Sequence, residues 1–140
     1  MLLTLILAIL KAKISEYKLD NRVSIIPFQE NIYAFWDAID IAVVPSTEPE
    51  PFGMVAIEAM IAKKPVGAAN HGGLTETVVH NHNGLLFEPN NAKALAEALK
   101  ILILDAEKRK LLGQNGYYRT IEHFSLEKHM EKFETIFEKM

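Results

Sequence analysis

The sequence predicts an α/β fold built on a parallel sheet of about four strands, with helices on both faces and further helices at the C-terminus. Three observations carry this. Four short runs, VSIIP (Val23 to Pro27), IAVVP (Ile41 to Pro45), PVGAA (Pro65 to Ala69) and GLLFE (Gly84 to Glu88), are apolar without alternation. That is the pattern of strands buried on both faces, which occur in parallel sheets. Segments of helical spacing stand between them, as the crossover of a parallel sheet requires. Gly72-Gly73 and Asn81-His82-Asn83-Gly84 punctuate the alternation with turn residues.

The elements follow in order. MLLTLILAIL is too short to span a bilayer, which takes about 20 residues as a helix. Its lysines, Lys11 and Lys13, follow the apolar run instead of preceding it, unlike an export signal. Continued through LKAKISEYKL, the segment reads as a helix meant to lie on a sheet. VSIIP is the first strand, and NIYAFWDAI the helix that crosses over to IAVVP. The next helix, starting near Gly53, is apolar from Met54 to Ala62 except for Glu58. PVGAA, the short helix GLTETVV and GLLFE follow, then the amphipathic AKALAEALKILILD. Two more helices, AEKRKLLGQNGYYRTI and, after Ser125 as cap, LEKHMEKFETIFEKM, are expected as an appendage to the domain. If VSIIP closes directly onto IAVVP, the four strands make one parallel sheet.

With 140 residues, 49% hydrophobic and 24% charged, the chain reads as one globular domain over residues 1–140. A formal net charge of -3 with scattered Lys and Arg excludes a nucleic-acid surface. The absence of cysteine rules out disulfides and thiolate metal sites and points to the cytoplasm.

The chemistry gathers in TEPEPFGMVAIEAM, Thr47 to Met60. This loop leaves a strand at its carboxyl end, where open parallel sheets bind ligands. Free backbone N–H groups of Phe52, Gly53 and Met54 open the helix there and suit a phosphate. Gly53 permits close approach, and Pro49 and Pro51 restrict the backbone around Glu50. Glu58 has Met54, Val55, Ile61 and Ala62 three and four residues away, so it lies on no ordinary solvated stripe. A carboxylate so placed suits the two hydroxyls of a ribose.

Glu50 and Glu58, with Pro45-Ser46, EPFGMVAIEAM, PVGAA, GGLTETV and NGLLFEP in order, resemble the C-terminal, donor-binding domain of retaining glycosyltransferases of the GT-B fold, glycosyltransferase family 4. The resemblance covers roughly residues 20 to 137. It implies a Rossmann-like sheet and transfer of a sugar, with retention, from a nucleotide-diphosphate sugar to an acceptor. Glu50 is then the catalytic-site carboxylate at the donor sugar, and Glu58 holds the donor ribose. The amides of Phe52, Gly53, Met54 and Val55 hold sugar and diphosphate. Gly72 and Gly73 lie near the donor, and Pro27 and Phe28 in the base-contacting loop. The resemblance implies no metal and no further cofactor, because basic groups and helix dipoles stabilise the departing diphosphate. It also implies that the first two strands of that domain, the basic residues they bring and the N-terminal acceptor domain lie outside this sequence. The reading is therefore a fragment, inactive alone, with the N-terminal domain as its partner and peripheral membrane association only in the full enzyme.

Other readings stand beside it. A non-catalytic module that binds a nucleotide sugar keeps the same crevice. A glycosidase would need its two carboxyls to flank one bond across a cleft, at ~5 to 10 Å. A sugar-nucleotide epimerase on the same architecture fits the spacing of Glu50 and Glu58 less well. His80 and His82 lie in an Asn-rich turn without a third ligand nearby and read as solvated loop. His71 suits a capping role or a donor phosphate. Tyr117, Tyr118, Phe124, Phe133 and Phe137 read as packing residues.

Overall fold

The computed structural model describes residues 1–125 and divides into two compact units, Met1–Asn31 and the chain from Ile32 onward. The predicted helix after Ser125 lies outside the described residues.

The first unit holds α1 (Leu2–Glu16). Its leucines and alanines favour helix, and Lys13 pairs with Glu16 at 2.7 Å across one turn. The helix ends in a Schellman pattern, Leu19 N–H on Ile14 O and Lys18 N–H on Ser15 O, with Lys18 left-handed at φ 56°. None of its residues is buried. Val23–Pro27 follows without strand structure, and Ile26 is exposed. The expected fourth strand, and its closure onto Ile41–Pro45, are therefore corrected. Branched apolar residues fit a pleated surface only where neighbours supply one, and this run makes no ladder.

The second unit is built on three parallel strands in the order β1-β2-β3: β1 (Ala42–Val44), β2 (Val66–Ala69) and β3 (Gly84–Phe87). Ala42 faces Val66 in the first ladder and Val66 faces Gly84 in the second. Central β2 is buried throughout, as its unbroken apolar sequence predicts. Gly84 is required by this pairing, because a Cβ there would stand 2.5 Å from Val66 O.

Helices α2 (Ile32–Asp37), α3 (Met54–Ile61), α4 (Leu74–Thr77), α5 (Ala92–Leu104) and α6 (Ala106–His123) complete the unit. Asn91 caps α5 by accepting from Ala94 N–H at 2.9 Å, and Asp105 caps α6 by accepting from Lys108 N–H at 2.8 Å. The core joins Trp36, Val44, Ile57, Met60, Val66, Leu74, Leu85, Leu102 and Leu112.

Two features tie this core together. Asn83 is fully buried: its Nδ2 donates to Thr77 O at 3.0 Å and meets Met60 Sδ at 3.0 Å, while its Oδ1 accepts from Val79 N–H at 2.6 Å. Helix α6 is not an appendage. It buries Leu112, Gly113, Gly116 and Thr120. A Cβ on Gly113 would strike the Lys63 carbonyl, and one on Gly116 would lie 2.8 Å from Met60 Cγ. The two glycines let α6 lie directly on α3 and the turn after it.

Candidate functional site

The site is assembled at the carboxyl end of β1, where the chain runs from Val44 through Pro45 and Ser46 to the start of α3. Gly53 stands before the helix in a left-handed conformation, φ 78°, and no side chain caps α3. The first helical bonds are Ala56 N–H and Ile57 N–H onto Gly53 O, at 3.0 and 3.4 Å. The N–H groups of Met54 and Val55 therefore have no backbone partner among the described residues. Both residues are exposed, while Gly53 is buried and Phe52 half-buried. Such an end carries partial positive charge and donors for an anion.

Glu50 is half-buried just before these amides. The Ser46 hydroxyl donates to Glu50 Oε1. The imidazole Nε2 of His71 lies 2.9 Å from Ser46 O and, against a carbonyl, is the donor. Gly73 N–H donates to Glu50 O at 2.7 Å. The glycine pair is thus a cradle for the Glu50 loop. Gly72 is left-handed at φ +56°, and a Cβ there would stand 2.6 Å from Glu50 O and 2.8 Å from Glu50 N. A Cβ on Gly73 would strike the Pro51 carbonyl. On the far side, Phe52 meets Phe124 edge-on at 5.6 Å between ring centroids. Arg119 donates to Glu76 O at 2.7 Å and Thr77 O at 3.1 Å, which fixes the end of α6 to the end of α4.

Glu58 is the fifth residue of α3 and half-buried. It lines a cleft of about 400 Å³ with Ile32, Phe35, Trp36, Ile39, Ile41, Ala42, Val43 and Val55. Its carboxylate is the sole charged group of that lining among the described residues. The structure thus gathers Glu50, Phe52, Gly53, Gly72 and Gly73 in one contact set, with Met54 and Val55 at its rim. Glu58 opens on the cleft instead. Pro27 and Phe28 belong to the first unit, where Phe28 is exposed and Gln29 Nε2 donates to Pro27 O at 2.9 Å.

Sequence reasoning named Ser46 only as part of a motif and left His71 between two roles. Both hold the Glu50 loop, and contacts across 25 residues leave no periodic trace. His80 and His82 are exposed, and His80 Nδ1 accepts from Leu86 N–H at 3.0 Å. No described helix is long and apolar enough to cross a membrane.

Known proteins match this arrangement closely. A glycosyltransferase of unestablished specificity, MJ1178 of Methanocaldococcus jannaschii, is 46% identical over 87 residues, 62% of this chain and 24% of its own. The structure of Anabaena Alr3699/HepE in complex with UDP and glucose superposes with a TM-score of 0.89 at 31% identity, over 96% of this chain and 36% of that one. The C-terminal domain of a glycosyl transferase group 1 family protein, LpcC of Francisella tularensis, superposes with a TM-score of 0.73 at 32% identity. That match covers 84% of this chain and 61% of the domain. The chain spans about a quarter to a third of the length of the curated relatives it matches. The profile of the glycosyl transferases group 1 family matches residues 7–119, so the chain belongs to that family.

Proposed function

We propose that this chain is the donor-binding part of a retaining glycosyltransferase of family 4, which moves a sugar from a nucleotide diphosphate to an acceptor. The observation that carries the reading is the junction of Glu50 with α3. A carboxylate held by Ser46 precedes a helix start whose first amides have no backbone partner and no side-chain cap among the described residues. A diphosphate on those amides gains the helix dipole and two or more N–H donors. Its sugar then lies against Glu50, whose carboxylate accepts from sugar hydroxyls near the reacting carbon. Gly72 and Gly73 keep the neighbouring space clear of side chains, and Glu58 takes the ribose hydroxyls. The developing charge on the diphosphate is met by fixed dipoles and basic groups, with no metal. The Anabaena neighbour, crystallised with UDP and with UDP-glucose, supports this choice of donor class.

Calorimetric titration with a panel of nucleoside diphosphates tests the ribose role. Glu58→Gln keeps the fold and weakens binding by about 1 to 3 kcal/mol, because a charge-assisted pair of hydrogen bonds is lost. Unchanged affinity for every nucleotide that binds the parent chain would remove Glu58 from the site. Residues 1–140 by themselves bind donor without turnover, since positioning an acceptor is a large part of the catalysis and the chain spans a third or less of its curated relatives. Sustained transfer above a Glu50→Ala control, across nucleotide sugars and simple acceptors, would overturn that.

A further inference from the structure

The basic residues are scattered along the sequence, but the fold gathers four of them. Helix α6 meets the turn after α3 where Gly113 admits the Lys63 carbonyl. Arg109 and Lys110 stand four and three residues before Gly113, on the same face of α6, so this contact brings them beside Lys63 and Lys64. Together they line a cleft of about 210 Å³ in which Asp40 is the single carboxylate among the described residues. The cleft lies by Ile39 and Pro65, at the amino ends of β1 and β2, whereas the Glu50 loop leaves the carboxyl end of β1. None of the four cations forms an ion pair among the described residues. Two of them are already set in place. Arg109 Nη1 donates to Leu102 O at 2.7 Å and to Ile103 O at 2.8 Å, carbonyls of the last turn of α5. A guanidinium has five N–H donors, so Nε and both hydrogens of Nη2 have no partner among the described residues. Nε and Nη2 form the parallel edge that grips an oxyanion at two points. Lys63 is left-handed at φ 57°, at a helix end where glycine is usual, and its Nζ lies 4.8 Å from the centre of the Tyr117 ring.

We propose that this cleft binds a phosphate group, carried by a small soluble anion or by a lipid headgroup, at the end of the sheet opposite the Glu50 loop. The chain as a whole has a formal net charge of -3, yet the cleft sets four cations against one carboxylate. Cations gathered in a cleft repel one another and are screened less than on an open face. The excess of positive charge matches a doubly charged tetrahedral anion better than a single carboxylate. Such an anion relieves the repulsion and takes the free edge of Arg109 in a two-point bond, with the lysines as point charges around it. The volume admits one phosphate with a few waters, at ~30 Å³ per water in the liquid. The site uses none of the groups assigned to the donor, so this inference stands apart from the function proposed above.

Titration of residues 1–140 with inorganic phosphate, followed by nuclear magnetic resonance against sodium chloride of equal ionic strength, tests the proposal. Arg109 Nε–H and the amides of Lys63 and Lys64 should shift saturably with phosphate and little with chloride. The amides of Met54 and Val55 report separately on the Glu50 loop. Lys64→Gln with Lys110→Gln removes two charges and no hydrogen bond among the described residues. This pair should keep the circular dichroism and melting temperature of the parent and leave the Met54 and Val55 response unchanged. It should weaken binding in the cleft about tenfold, through the loss of two charge-assisted partners. Lys64→Arg with Lys110→Arg keeps the charge and should keep the response. Sedimentation with phosphatidylcholine vesicles, with and without phosphatidic acid, names the source of the phosphate. Binding to phosphatidic acid that the glutamine pair abolishes assigns a headgroup; phosphate saturation without vesicle binding assigns a soluble anion. The proposal is overturned if neither probe binds beyond its control, if the glutamine pair binds like the parent, or if that pair unfolds.

Discussion

Replacing Gly72 by alanine sets two costs against each other's absence elsewhere in the same chain. The left-handed backbone at φ +56° costs an alanine about 1 to 2 kcal/mol. Its Cβ would also stand 2.6 and 2.8 Å from backbone O and N of Glu50, atoms that no rotamer change moves away. Forcing such a contact in a packed region costs about 1 to 3 kcal/mol. The sum, about 2 to 5 kcal/mol, is a large share of the ~5 to 15 kcal/mol that holds a domain folded. Gly67 is the internal control: a Cβ there meets nothing nearer than Ala42 O at 4.0 Å. Gly67→Ala should be neutral or gain about 0.4 to 1 kcal/mol through the unfolded chain. Urea unfolding followed by far-ultraviolet circular dichroism gives both values on one scale. Amide exchange at Gly73, whose N–H donates to Glu50 O, reports whether the loop has been displaced. If the two variants are equally stable, or Gly72→Ala leaves Gly73 exchange unchanged, the glycine pair does not cradle the Glu50 loop.

Other outcomes follow from single contacts. Asn83→Ala strands Val79 N–H and Thr77 O in a buried turn and should cost about 2 to 4 kcal/mol by the same unfolding assay; a loss under ~1 kcal/mol would mean the turn stands without its side chain. Ser46→Ala frees the Glu50 carboxylate, so it should narrow the affinity gap between a nucleoside diphosphate and its sugar conjugate while leaving the diphosphate alone bound as before. A calorimetric gap equal to the parent's would deny Ser46 a positioning role.

Much of this fold is legible in the sequence because its signals are local. The caps at Asn91 and Asp105 precede runs of helical spacing, and both helices begin there. The unbroken apolar runs at Val66 and Gly84 become adjacent parallel strands. Val23–Pro27 has the same composition and forms no strand, because composition specifies a surface that suits a ladder and says nothing of whether a neighbour is present. The place of α6 was misread for a related reason. Gly113 and Gly116, three apart on one side, are the trace of its close contact with Met60 and Lys63. At the site, the loop and helix start could be read from Pro and Gly placement. The Ser46–His71 support is tertiary and appears only once β1 and the turn after β2 are side by side.

The buried turn at Asn83 has a chemical consequence as well as a mechanical one. Asparagine followed by glycine is the pair most prone to close on itself as a succinimide and lose its amide nitrogen. Asn83 precedes Gly84 and Asn115 precedes Gly116, so the chain carries this hazard twice. In the folded state the Asn83 side chain is pinned at both ends, and Gly84 is fixed in β3. Asn115 sits within α6 and donates to His82 O at 2.7 Å. Neither can readily bend its carbonyl carbon onto the following nitrogen while these bonds last. Ageing at this pair therefore proceeds through molecules that have opened. Each opening long enough to react leaves an aspartate or isoaspartate at position 83, whose charge the sealed turn cannot readmit. Deamidation at this position acts as a ratchet against refolding and as a written record of how often the core has come apart.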